Sequence, residues 1–219
     1  MTFKKIKIAA VTPLIAFAVT ACGGSSSDGR SYSEMGTEAR SLMERAAEVG
    51  ALNENTGEFE NITMAADMQT SGSASYSGVS GLWVGDTMSE AEDNAFFNED
   101  TPDVLSNLRL TADFDAGEIN GRMDNFQAAT DDVSISGSVD VTNGTFVTGT
   151  GGEAGMVAEL DGSLDVSEDG IDETIGITGD MAGTFLGDDG EVVTGISAGD
   201  MISDFGNGAF VGIWGADRD

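Results

Sequence analysis

The stretch from Gly183 to Arg218, GTFLGDDGEVVTGISAGDMISDFGNGAFVGIWGADR, decides the fold. Two alternating, glycine-punctuated strands flank an acidic turn at Asp188-Asp189-Gly190, and a third strand follows them. That is the pattern an antiparallel barrel needs in order to close on itself.

The same alternation runs upstream. Leu108, Leu110, Ala112 and Phe114 face one way while Arg109, Thr111, Asp113 and Asp115 face the other, with the two-residue period of a strand. After a turn at Asp115-Ala-Gly117, Ile119, Gly121 and Met123 oppose Glu118, Asn120, Arg122 and Asp124. Val133, Ile135, Val139 and Val141 repeat the pattern, and Asn143-Gly144 reads as the next hairpin turn. Ala158, Leu160, Leu164 and Val166 continue it, followed by Ile175, Ile177, Met181 and Phe185. With Ala74 to Val84, the expectation is an all-β fold: an antiparallel, water-soluble barrel of about eight strands over residues 72–219. The polar face carries many carboxylates and few cations, and a narrow lumen would hold them unpaired at a cost of roughly several kcal/mol each. The acidic face therefore turns outward, and the lumen is expected to be a packed core rather than a pore.

Composition agrees with one strand-rich domain plus tails. The chain has 219 residues, 31 glycines and two prolines, with no long apolar run after residue 21. All the lysines, Lys4, Lys5 and Lys7, lie at the start, so a chain beginning at Cys22 sets six arginines against 39 carboxylates, a net charge of −33. Such a surface repels nucleic acid. It favours cationic partners or divalent cations, or serves solubility alone.

Residues 1–21 have the anatomy of a secretory signal peptide: a lysine-bearing start, an apolar stretch from Ile8 to Val19 too short to span a bilayer, and small residues before Cys22. The end, Val19-Thr20-Ala21-Cys22, resembles a bacterial lipobox, which implies acylation of Cys22 (palmitate among the chains) and a stable membrane anchor. Gly23 after it implies sorting to the outer membrane of a Gram-negative cell. Residues 22–36 read as a Gly/Ser-rich tether. In residues 37–71, a short helix is expected from Thr37 to Val49, with Ala39, Leu42, Met43, Ala46 and Val49 packing on the barrel and Gly50 as a stop. The remainder is a handle segment, irregular or forming an extra edge strand, with Phe59, Ile62, Met64 and Met68 as anchors.

Three sets of residues carry a family resemblance across residues 72–219. Ser73-Ala-Ser-Tyr76-Ser-Gly78 resembles a first barrel strand, and Leu110-Thr-Ala-Asp-Phe114 with Ala116-Gly117 a central hairpin. Gly183-Thr-Phe185-Leu-Gly187, Glu191 to Gly195, and Gly208-Ala-Phe210 leading to Gly215-Ala-Asp-Arg218 resemble a closing signature. Together they resemble the barrel lobes of transferrin-binding protein B and the single-lobe surface lipoproteins related to it. The resemblance implies a non-catalytic binding module on the outer membrane, facing the cell exterior. It also implies a ligand that is a host or environmental protein or is related to iron or haem, with an outer-membrane receptor as a further partner. This chain departs by having one lobe instead of two and a short handle. The alternative is a structural, periplasm-facing envelope lipoprotein with no small ligand.

The sequence excludes most catalytic chemistry. It has no histidine and a single cysteine, so serine–histidine and cysteine–histidine catalysis and histidine- or thiolate-ligated zinc are out. No enzyme, cofactor or metal is expected; haem would have only Tyr32, Tyr76 or a methionine as ligand. Asp165-Val-Ser167-Glu-Asp169-Gly170 has the spacing of a calcium loop but carries Gly176 where the bidentate glutamate belongs, and reads as a solvated turn. The candidate binding residues lie in the long loop between Gly85 and Asp103: Phe96 and Phe97 among Glu92, Asp93, Glu99 and Asp100. They form either a contact patch for a partner or a cap on the barrel end.

Overall fold

The computed structural model describes residues 29–53, 56–98 and 101–219. The signal-peptide reading and Cys22 lie outside the described residues. Helix α1 (Tyr32–Val49) leads into a small ribbon of β1 (Leu52–Asn53) and β2 (Glu58–Phe59). Then come the strands β3 (Ser73–Gly85), β4 (Val104–Asp113), β5 (Glu118–Ala128), β6 (Val133–Thr148), β7 (Ala154–Glu168), β8 (Ile171–Leu186), β9 (Val192–Ile202) and β10 (Asn207–Arg218). They form a closed antiparallel barrel in which every strand pairs with its neighbours in sequence and β10 pairs back onto β3. The closing seam runs from Ala209 opposite Gly85 to Arg218 opposite Tyr76, so the stretch Gly183–Arg218 shuts the barrel as expected.

The alternation places side chains as the sequence implies. Leu108, Leu110, Ala112, Ile119, Met123, Leu160 and Met181 are buried inside, whereas Glu159, Asp161, Asp165 and Asp180 are exposed on the outer wall. A barrel that meets hydrocarbon has its apolar band outside, so this wall is built for water. Among the described residues no helix is long and apolar enough to cross a membrane.

One hairpin differs from expectation. Asn143-Gly144 does not turn the chain; β6 runs through it to Thr148, and the reversal comes at Gly149–Glu153, where the Gly149 N–H donates to the Glu153 carbonyl at 2.8 Å. The pair is instead a bulge. The β6–β7 register shifts between Thr142 and Thr145, leaving Asn143 (φ 53°) and Gly144 opposite the single residue Ala158. A Cβ on Gly144 would lie 2.1 Å from the Ile119 carbonyl oxygen across the β5–β6 pair. The extra residue bends β6 and brings Phe146 into the core, where it stacks on Phe114 at 5.3 Å with the planes 23° apart.

Helix α1 also starts earlier than the Thr37 expected, inside the stretch read as tether. Ser31 is its N-cap, accepting from the Glu34 N–H while the Glu34 carboxylate accepts from the Ser31 N–H at 2.8 Å. This capping box holds the Glu34 carboxyl below its ordinary range. The apolar face of α1 packs on the outer wall, as the sequence predicts. Met35, Ala39 and Leu42 meet Val79, Trp83, Leu105 and Val211, and Ala46 meets Leu186 and Val192.

The two barrel ends differ. At one, the handle closes the lumen: Ile62 bridges to Leu186 and Met64 to Glu153, and the Thr63 hydroxyl donates to the Gly187 carbonyl at 2.7 Å. Met68 packs against the core beneath. The handle thus serves as the plug of this end, completed by the rings of Tyr76, Phe114, Phe146 and Phe185.

Candidate functional site: an open apolar cup

At the opposite end the lumen is hollow, which corrects the expectation of a core packed throughout. A cavity of about 370 Å³ opens between the β3–β4, β5–β6, β7–β8 and β9–β10 connections. Its wall is apolar, with Leu82, Met123, Val139, Leu160, Ile177 and Phe210 deeper and Val84, Ile135, Val166, Ile175 and Met201 nearer the mouth. The cause lies in side-chain size. The closed half is filled by aromatic rings from β3, β6, β8 and the end of β4, whereas the open half is lined largely by aliphatic side chains too short to meet across an eight-stranded lumen. Phe126 and Phe210 are the aromatic exceptions.

The mouth combines carboxylates with exposed apolar groups. The Asp103 carboxylate accepts from the Val84 N–H at 2.9 Å, which fixes it at the lip, and Glu168 stands opposite on β7. Asp131, Asp132, Asp169 and Asp204 lie on the connections around it, and among the described residues no cationic side chain lines the cup. Ile171 and Phe205, the latter 75% exposed, occupy the β8 start and the β9–β10 turn, while Ile202, alternating with the inward Met201, lies on the outer wall. Below the cup, the inner faces of β9, β10, β3 and β4 carry Ser197, Trp214, Ser80 and Ser106. These are buried, and their hydroxyls and the Trp214 indole nitrogen have no hydrogen-bond partner among the described residues.

The residues singled out from sequence fall beside the cup rather than over it. Glu92 and Asp93 end the short helix α2 (Met88–Asp93) and are exposed, and a π-helical turn, Asn94–Asn98, carries both phenylalanines. Phe96 packs against the α1–outer-wall cluster, so it anchors the loop to the side of the barrel. Phe97 is 82% exposed and meets Phe96 edge-to-face at 6.5 Å. Glu99 and Asp100 lie outside the described residues. The sequence did hold a signal for the cup that was missed: Val133, Ile135, Val139, Leu164, Val166, Ile175 and Ile177 form an aliphatic set at one level of the barrel with no ring among them.

Neither tyrosine faces the cup. Tyr32 lies on the outer wall and donates to the Pro102 carbonyl; burial, helped by Asp103, pushes its pKa up to about 12. Tyr76 donates to the Gly190 carbonyl at 2.9 Å, and burial raises its pKa as well, against the pull of Arg218. Both phenols are engaged away from the cavity, so among the described residues Met123 and Met201 are the candidate haem ligands that line the cup. Because the folded pKa is raised, stability is full below the unfolded value of about 10 and is lost as pH climbs through the folded value. A 295 nm titration is therefore expected to show little phenolate at pH 10 in the native protein, with both ionisations delayed beyond the ordinary value and that of Tyr32 near 12. Half-ionisation at pH 10 without unfolding would contradict this burial.

Among the described residues no group of acidic side chains is arranged to hold a metal ion. Asp169 (φ 51°) and Gly170 (φ 78°) form the tight β7–β8 turn, so the near-calcium-loop segment is a hairpin.

No protein-family model matches the chain, and no curated protein matches it. Among solved structures, the chain is similar to a crystal structure of a point mutant of the vaccine antigen transferrin-binding protein B from Haemophilus parasuis Hp5. The TM-score is 0.39 and the identity 15%, covering 74% of this chain and 28% of that one. This chain thus matches little more than a quarter of that protein's length, and so distant a likeness carries neither family nor function. The fold rests on the closed eight-stranded barrel itself.

Proposed function

We propose that the chain is a non-catalytic binding module of the outer membrane, lipid-anchored at Cys22, facing the cell exterior and receiving its ligand at the open barrel end. The observation that carries this reading is the apolar cup with its exposed rim, because a cavity of 300–1,000 Å³ with few polar groups is the usual form of a small-ligand site. The chain's chemistry supports binding over catalysis, since there is no histidine and neither tyrosine reaches the cup.

The N-terminal end of α1 lies towards the open end of the barrel. Arg30 donates to the Asn107 Oδ1, and the Tyr32 hydroxyl bonds Pro102, both near the β4 start, so α1 runs from the open end towards the closed one. Six residues, 23–28, lie between Cys22 and Gly29, a span of at most about 25 Å when extended. A lipid on Cys22 therefore keeps the cup within one short tether of the bilayer.

Two measurements test this. Cys22→Ser is expected to abolish palmitate labelling and move the protein from the membrane to the soluble fraction; retention in the membrane would refute the anchor. Shaving of intact cells with a broad-specificity protease, chosen because six arginines and no lysine after Cys22 leave trypsin few sites, is expected to remove the barrel. Protection until the outer membrane is opened would make it a periplasm-facing envelope component.

A further inference from the structure

We infer that the cup binds the alkyl chain of a single-chain amphiphile whose head group is neutral or cationic, taken up as a monomer from water with the tail inward. The inference deepens the binding-module reading and rests on it. Size sets the tail. Liquid water occupies about 30 Å³ per molecule, and a methylene is of similar size, so 370 Å³ accommodates roughly a dozen non-hydrogen atoms. That suits one medium-length chain and is far too small for a two-chain lipid. The wall offers that tail mostly aliphatic contacts, and exposed Ile171 and Phe205 add apolar surface at the β8 start and the β9–β10 turn at the same end.

Charge sets the head. A head group at the lip would lie among Asp103 and Glu168, with Asp131, Asp132, Asp169 and Asp204 around them and no cation in the lining among the described residues. A carboxylate there meets like charge in a partly desolvated site, whereas an ammonium is attracted and a hydroxyl is tolerated.

Calorimetric titration of the full chain with decyltrimethylammonium, 1-decanol and decanoate, each below its micelle-forming concentration at pH 7, tests this. The first two are expected to bind one per chain, at least tenfold more tightly than decanoate. Ile175→Trp, which fills the mouth, is expected to weaken decyltrimethylammonium at least tenfold. Glu168→Lys, an exposed lip substitution that leaves the core untouched, is expected to narrow the preference over decanoate severalfold; it decides the matter if Ile175→Trp does not fold. Adsorption to the apolar stretch Ile8–Val19 is common to all three proteins and cancels when each variant is compared with the parent for the same probe. Equal affinity for the three probes, or affinity unchanged in both variants, overturns the inference. Such a failure leaves the fractionation and shaving results standing, so it is separable from failure of the anchored-module reading.

Discussion

Trp83→Ala is expected to destabilise the protein by about 3–5 kcal/mol, the range for truncation of a buried aromatic. For a chain of this size that lowers Tm by roughly 10 °C. Trp83 is fully buried although it lies on the outer face of β3, because Leu82 and Val84 on either side point into the cup. It fills the space between the wall and two helices, in contact with a cluster that includes Met35, Ala39 and Leu42 of α1 and Ala91 of α2. Removing the indole opens a cavity at the joint between helix and barrel, and a cavity between two elements weakens their docking before it weakens either element. The α1 amides should therefore lose hydrogen-exchange protection first, with the strand amides following only at global unfolding. A loss under 1 kcal/mol, with α1 protection unchanged, would mean that the helix is held elsewhere.

The position of Trp83 shows what the sequence could and could not convey. Period-2 alternation is strong along β4, β7 and β8, and those strands were legible because water bathes one face. Along β3 the run Val79-Ser80-Gly81-Leu82-Trp83-Val84 does not alternate; it is buried on both faces, inside by the lumen and outside by the helices. The docking of α1 was legible from its 3.6-residue apolar stripe. Its start was not, since Ser31 and Glu34 look like tether until the reciprocal cap between them is formed.

The Asn143-Gly144 misreading has a different cause. A two-residue turn and a bulge both ask for positive φ and a missing Cβ, so the dipeptide satisfies either. The choice is made by the approach of the Ile119 carbonyl from the neighbouring strand, a contact between residues far apart in sequence. The cup was hidden for a related reason. Alternation says which side chains point inward, whereas the free volume left between them depends on how ring and aliphatic side chains are distributed along the barrel axis. Only register reveals that the rings of Phe114, Phe146 and Phe185 share one end. The candidate loop residues were chosen on exposure and charge, and the structure spends Phe96 on packing while leaving Phe97 free.

The second large effect is expected at Gly183, where Ala should cost about 1–3 kcal/mol, as overpacking does, although Gly183 has no left-handed backbone that would penalise a side chain. The obstacle is the Trp214 ring. A Cβ on Gly183 would lie 2.4 Å from Cη2 and 2.7 Å from Cζ2 of the indole, and next 3.0 Å from the Thr194 carbonyl. Gly195, directly opposite Gly183 on β9, has the indole at 2.6 Å but the Ala182 carbonyl nearer still, at 2.0 Å. The ring thus lies across a paired glycine floor, and the two glycines should respond differently when it is removed. Trp214→Leu alone is expected to cost less than the 3–5 kcal/mol of full truncation. Combined with Gly183→Ala it should be less destabilising than the sum of the singles by about 1–2 kcal/mol, within the range measured for residues in contact. Combined with Gly195→Ala it should recover little, because the carbonyl that opposes that Cβ belongs to the β8 backbone and stays. Denaturant unfolding of the six proteins measures both couplings. Additivity at Gly183, or equal rescue at the two glycines, would show that the indole does not set the spacing of β8, β9 and β10 beside the closing β10–β3 seam.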